Sequence, residues 1–366
     1  MSEHVIHVRC APGLEDLVAG EIRALGAEPE VRRAGVRTAG DDRLVQRLNL
    51  ELACAQLVQV RVAERKAKSL DELEQRVGSM AWNKWVAPHH RLTIEVKTQS
   101  SRLHHRGEVE DRVRRALGER IGGWANPQGD PLELEVRARG DRVSFWMNTT
   151  GDILHRRGYR LETAKAPLRE DLAAALIRVS DWDGTSAFAD PMMGAGTLVI
   201  EAARMARGIA PGADRSFAFE RFAGFDADGW AELRAAAKAR VKDTLPFPIF
   251  GSDRDAGALG IATRNAERGG VVADLSLATA AISAAPVLEN PPAQGTLVTN
   301  PPWGGRLGKG KDLRPLYQTL EKLADQLPGW GLAFVATKDR LAQQVRGVRE
   351  ALRTTQGGRD VTFYRR

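Results

Sequence analysis

The stretch Thr185-Ser-Ala-Phe-Ala-Asp190-Pro191-Met-Met-Gly194-Ala-Gly196-Thr197 constrains this chain most. A short apolar run ends in an acid, two glycines punctuate a turn, and Leu198-Val-Ile-Glu201-Ala-Ala-Arg-Met205 continues as a helix. Strand, Gly-rich turn and helix in that order open a doubly wound α/β sheet and place a ligand at the strand's carboxyl end. Gly194 and Gly196 let a ligand approach the backbone closely. Counting the dinucleotide fingerprint from Gly194 puts Val199 at its third glycine, so the motif is not one for a pyrophosphate. Asp190 instead suits a cationic or amino ligand, such as the methionine moiety of S-adenosylmethionine. Its competing reading is a turn or N-cap aspartate.

Two further strand ends carry chemistry. Pro248-Ile-Phe-Gly-Ser-Asp253 is apolar, ends in an acid and precedes a helical stretch, Ala256–Arg268. A carboxylate there can accept from both hydroxyls of a ribose. Asp226 competes for that role but is preceded by no comparable apolar run; Asp255 reads as a helix-start residue. Gly295-Thr-Leu-Val-Thr299 then leads into Asn300-Pro301-Pro302-Trp303-Gly304. The Asn300 side-chain oxygen and the carbonyl of proline-locked Pro301 are two acceptors in fixed geometry. Trp303 offers a stacking face. Such a set grips the N–H bonds of an exocyclic amine on a planar ring. Asn290-Pro291-Pro292-Ala293 has neither the strand nor the aromatic and reads as linker.

Composition narrows the chemistry. The chain has 366 residues, enough for two or three domains, with ordinary globular proportions. No basic-then-apolar leader opens it, and no apolar run reaches the ~18–20 residues that span a bilayer, so a cytoplasmic, membrane-free protein is expected. Both cysteines, Cys10 and Cys54, lie outside the half carrying these motifs. That argues against methylation at C5 of a pyrimidine, which needs a cysteine nucleophile. All seven histidines precede residue 156 and none makes HxxxH spacing, so no metal site is expected. A net charge of +7 favours an anionic partner.

In this order the three elements resemble class I S-adenosylmethionine-dependent methyltransferases of the amino-methylating kind. Arg157-Gly-Tyr159-Arg160, then Ala164-Lys-Ala-Pro167-Leu-Arg169-Glu170 and Leu172–Ile177, resemble the entry to the catalytic domain of THUMP-containing RNA guanine-N2 methyltransferases. Val8–Leu17 with Glu21–Ala27 resembles that family's small N-terminal module, and Ser101-Arg102-Leu103-His104-His105 a run in its THUMP domain. The resemblance implies an α/β chain: a ferredoxin-like module over residues 1–60, THUMP over 61–150, a linker over 151–165, and a Rossmann-like methyltransferase domain with a mostly parallel sheet over 166–366. It implies S-adenosylmethionine as cofactor, touched by Asp190, Pro191, Gly194, Gly196, Thr197, Asp253 and Asn300. Catalysis would fall to Asn300, Pro301, Pro302 and Trp303.

RNA would be gripped by Lys97, Ser101, Arg102, His104 and Arg106, with Arg306 at a phosphate or base edge, or merely solvated. Arg169 and Glu170 either brace the cofactor pocket or form an exposed helical pair. The family's acid after the third strand is missing, since Leu275–Ala280 offers only Thr279 or Ala280. The expected reaction is methyl transfer to N2 of a guanosine, in large-subunit ribosomal RNA ahead of transfer RNA. The alternatives are adenine N6, a protein glutamine, or an RNA-binding relative without activity. Oligomeric state is left open.

Local patterns complete the expectation. Leu14–Leu25, Ser69–Val77 and Val109–Leu117 have helical spacing, while Leu92–Val96, Leu132–Arg137 and Val143–Met147 read as strands. Leu44–Val62 reads as a helix or as a helix and then a strand. Ala202–Leu245 reads as one long helical insertion, Gly331–Thr337 as a buried strand, and Asp360–Tyr364 as the closing strand.

Overall fold

Alternating burial along the first strand, His4–Cys10, sets the pattern for the N-terminal half: every second residue faces the core. The computed structural model describes residues 3–121, 129, 131–163, 167–303, 312–337 and 339–366. Seven strands build the first sheet: β1 (His4–Cys10), β2 (Glu30–Arg32), β3 (Gly35–Gly40), β4 (Ala55–Lys66), β5 (Arg91–Gln99), β6 (Pro131–Arg139) and β7 (Arg142–Asn148). Their order is β2-β3-β1-β4-β7-β6-β5. The long strand β4 pairs with β1 through its first half and with β7 through its second. It runs through residue 60, so the two N-terminal modules share one continuous sheet.

Four helices accompany it: α1 (Glu15–Ala24), α2 (Asp42–Glu51), α3 (Leu70–Gly78) and α4 (Arg106–Ile121). Their starts are legible chemically. Asp41 accepts from Leu44 N and Ser69 from Glu72 N, each satisfying an orphan donor of the first turn. Of the two readings of Leu44–Val62, helix and then strand holds.

The second half alternates helix and strand: α5 (Glu170–Val179), β8 (Ala187–Asp190), α6 (Thr197–Arg207), α7 (Ala227–Ala239), β9 (Ile249–Asp253), α8 (Ala256–Arg268), β10 (Leu275–Thr279), β11 (Gly295–Thr299), α9 (Arg314–Asp325), β12 (Trp330–Ala336), α10 (Asp339–Ala342), β13 (Arg349–Gln356) and β14 (Arg359–Arg365). The sheet order is β10-β9-β8-β11-β12-β14-β13, parallel except at β14. Gly357 and Gly358, at φ 56° and 76°, make the two-residue hairpin turn joining β13 to β14. The expected helical insertion over Ala202–Leu245 is divided: α6 stops at Gly208, whose φ is 74°, and α7 starts afresh from its cap Asp226. A left-handed glycine ends a helix regardless of the apolar periodicity beyond it.

Candidate active site

Strand order reverses between β8 and β11, and such a reversal opens a crevice at the carboxyl ends of the two central strands. The register sets Gly295 beside Ala187 and Leu297 beside Ala189, so Asp190 and Thr299 end at the same edge. Thr299 Oγ1 donates to Asp190 Oδ1 at 2.6 Å. The same oxygen accepts from Met192 N at 3.0 Å, closing the turn. Asp190 is buried, and burial pushes its carboxyl up to about 7 against those two hydrogen bonds. The turn reading of Asp190 therefore holds on one of its oxygens.

Beyond it the backbone is tied to the next strand. Met193 N donates to Ser252 O at 2.9 Å and Gly194 N to Asp253 Oδ2 at 3.0 Å. Gly194 and Gly196 have φ 52° and 83°, left-handed values that favour glycine. A Cβ on Gly196 would stand 3.0 Å from Ala262 Cβ, so α6 starts hard against α8. Asn265 Nδ2 on α8 donates to Ala195 O at 3.1 Å and fixes the turn from below. Pro191 is buried, and the Thr197 hydroxyl lies 3.5 Å from Arg160 Nη1.

Asp253 sits half-buried at the end of β9, its other oxygen accepting from Asp255 N at 3.0 Å. Two backbone donors thus aim the carboxylate without exhausting its lone pairs. Asp226 and Asp255 are helix caps, accepting from Gly229 N and Gly257 N. At the end of β10, Ala280 N is spent on Asp253 O.

Asn300 comes directly after the fully buried β11. Its Oδ1 is buried and meets no donor among the described residues; Trp303 Nε1 is buried and likewise unpartnered among them. Pro301 is buried, while Pro302 and Trp303 are half-buried. Thr337 Oγ1 holds the Trp303 carbonyl at 3.4 Å, anchoring this loop to the end of β12. Arg306 and Gly304 lie outside the described residues.

Sequence reading offered bracing by Arg169 and Glu170 as one of two alternatives and missed the part of Arg160 in it. Arg160 donates to Leu168 O at 2.7 Å and to Glu170 Oε2 at 2.9 Å. Glu170 is buried, and burial raises it to about 7 despite Arg160. Arg169 pairs with buried Asp171 at 3.0 Å. The exposed-pair alternative for Arg169 and Glu170 is therefore wrong, because α5 buries its first turn. The only sequence signal was two acids in succession at a helix start.

The expected RNA residues divide. Arg102, His104 and Arg106 are exposed together around the start of α4. Ser101 Oγ accepts from Leu103 N at 3.1 Å and shapes that loop. Lys97 stands apart, 2.9 Å from Glu135 and 3.3 Å from Glu95.

A seven-stranded sheet with this order and one antiparallel strand, carrying a glycine turn pinned to an acid on the neighbouring strand, defines a Rossmann-like, S-adenosylmethionine-dependent methyltransferase fold. The family model described as "RMKL-like, methyltransferase domain" matches residues 157–357, preceded by "RlmL ferredoxin-like domain" at 6–59 and "THUMP domain" at 67–145. The chain belongs to the RMKL-like methyltransferase family. A putative RNA methyltransferase of Synechocystis, slr0064, is 32% identical over 94% of this chain and 91% of its own length. The ribosomal RNA large subunit methyltransferase K/L of Chromohalobacter salexigens is 33% identical over 90% of this chain and 47% of its own length. The chain thus spans about half the length of that K/L relative. Among solved structures, the putative methyltransferase SMU.472 complexed with SAH superposes with a TM-score of 0.87 at 26% identity, covering 100% of this chain and 98% of that one.

Proposed function

We propose that this chain methylates the exocyclic N2 of a guanosine in RNA, with large-subunit ribosomal RNA ahead of transfer RNA. The observation that carries the reading is Asn300 Oδ1, a buried acceptor without a donor among the described residues, at the crevice where β8 and β11 end. An acceptor so placed costs free energy until an N–H reaches it. Asn300 Oδ1 and the Pro301 carbonyl would take the two N–H bonds of the amine. They would favour its nucleophilic form as positive charge develops. Pro302 holds the loop stiff, and Trp303 lies against the base, a stacking contact worth ~1–3 kcal/mol.

The residues fit the cofactor. Gly194 and Gly196 let it approach the turn, and Asp253 is aimed for its ribose hydroxyls. Asp190, Pro191 and Thr197 shape the turn around its methionine end. S-adenosylmethionine supplies the electrophilic methyl group; the protein supplies position and electrostatics. The THUMP match and the ribosomal RNA named for the K/L relatives support RNA as substrate, with Ser101, Arg102, His104, Arg106 and Arg306 as contacts. Lys97 is proposed in the same role despite its two carboxylate partners. The test is mass analysis of nucleosides from purified large-subunit ribosomal RNA and transfer RNA of a deletion strain. Loss of 2-methylguanosine from ribosomal RNA supports the reading. Unchanged 2-methylguanosine in both RNAs refutes it.

A further inference from the structure

The four N-terminal helices all lie on one side of the first sheet. Ile6, Val8, Val58, Val60, Phe145, Met147, Leu134 and Val136 share a core with α1–α4. Among the described residues, no helix covers those of the opposite parity. They are strongly basic: Arg9 on β1, Arg37 on β3, Arg61 on β4, Arg137 on β6 and Lys97 on β5.

One buried acid organises this face. Glu135, its side chain 5% exposed, lies 2.9 Å from Lys97 Nζ and 4.0 Å from Arg9 Nη1, and it also binds Arg137 Nε. Arg137 donates to Gln59 Oε1 at 2.6 Å. Arg61 and Arg137 stand 5.9 and 4.7 Å from the ring centroid of buried Trp146, and His7 meets that ring edge-on at 5.9 Å. The guanidinium groups are therefore held in place, not left to swing. His7 Nδ1 and Arg37 Nε are buried with no partner among the described residues. The face's other acids are Glu30, Glu64, Glu95 and Glu133, the last accepting from Asn148 Nδ2 at 2.7 Å. Glu30 pairs with Arg32, Glu64 with Arg142 at 2.8 Å and Arg61 at 3.3 Å, and Glu95 with Lys97. Of these five cations, Arg37 has no carboxylate within 4 Å among the described residues, and Arg9 has only Glu135, at 4.0 Å.

We propose that this helix-free sheet face, centred on Arg9, Arg37, Arg61 and Arg137, binds the sugar–phosphate backbone of the RNA substrate. It rests on the reading of RNA as the substrate. Charge complementarity selects the occupant: oriented guanidinium forks match phosphate oxygens. Trp146 is too buried to stack on a base, so the face grips backbone and leaves base reading to the catalytic domain. Burial and the charges of Arg137, Arg37 and Arg9 hold His7 down at about 4, so it adds no charge of its own near neutrality.

The test is fluorescence anisotropy of the full chain with a labelled RNA hairpin, titrated at several salt concentrations. Arg9→Gln with Arg37→Gln should weaken binding and reduce the slope of log affinity against log salt by about one and a half, at ~0.7–0.9 per lost phosphate contact. Arg9→Lys with Arg37→Lys should keep the slope. Unchanged affinity and slope in the Gln pair overturn the proposal, as does an equal fall in the Lys pair, which would mark a structural effect. If the wild-type chain binds no RNA at any salt, the RNA reading itself fails.

Discussion

Asn300 offers an acceptor whose partner must come from outside the described residues, so its removal should be felt by the substrate and not by the fold. Asn300→Ala should bind S-adenosylmethionine as wild type does, while methyl transfer falls on the order of a hundredfold, as when a preorganised group facing developing charge is lost. Single-turnover methylation beside cofactor calorimetry measures both. A near wild-type rate would remove Asn300 from the site. Asp190 makes a different prediction. Its usual 3.8 is raised to about 7 in the folded chain. Between those values the folded state holds a proton that the unfolded state has released. Stability from this group is full below about 4 and is lost as pH rises through about 7. Glu170, raised to about 7, tilts stability the same way. Asp190→Asn keeps an acceptor for Met192 N and should flatten the decline, measured by urea unfolding across that window. An equal slope in wild type and variant contradicts the buried-proton account.

At the scale of elements, the β8–α6 turn works because two glycines take left-handed backbone and α8 closes over one of them. Gly196→Ala should cost the ~1–2 kcal/mol of a left-handed alanine, plus the strain of a methyl 3.0 Å from Ala262 Cβ. Gly357 in the β13–β14 hairpin is a control: its φ is also positive, but a Cβ there meets nothing within 4 Å. Gly357→Ala should lose only the backbone part. Urea denaturation of both variants separates the two terms; equal losses would mean that α8 yields freely to the added methyl. The same turn explains why the loop keeps its shape, since its donors are spent on β9 and its carbonyl on Asn265.

At the scale of the molecule, the two sheets are joined by polar contacts as well as apolar ones. Gln56 reaches Asp171, and Arg178 pairs with Glu21 at 2.7 Å. Arg157, 1% exposed, is the centre: it donates to Leu154 O at 2.8 Å and to Ala53 O, 3.7 Å from Glu201. Arg157→Ala leaves Glu201 and two carbonyls short of a partner, a loss of ~3–5 kcal/mol for a broken buried pair. Calorimetry should then resolve two transitions, the halves unfolding apart. A single transition at the wild-type temperature would show that the junction is held by apolar packing alone.

The sequence by itself determined the strand ends that matter. Asp190, Asp253 and Asn300 each close a short apolar run, and glycine or a capping aspartate marks the start of the next element. Those signals are local, governed by backbone sterics within a few residues, so they survive reading in one dimension. The helix break at Gly208 is local too, set by left-handed backbone at a glycine. Only the tertiary structure decided that Asp190 would give one oxygen to Thr299, over a hundred residues away. It alone buried Glu170 beneath Arg160, and it gathered Arg9, Arg37, Arg61 and Arg137 from four strands onto one face. Strand order is set by burial of whole faces against helices, and no window of neighbouring residues contains that information.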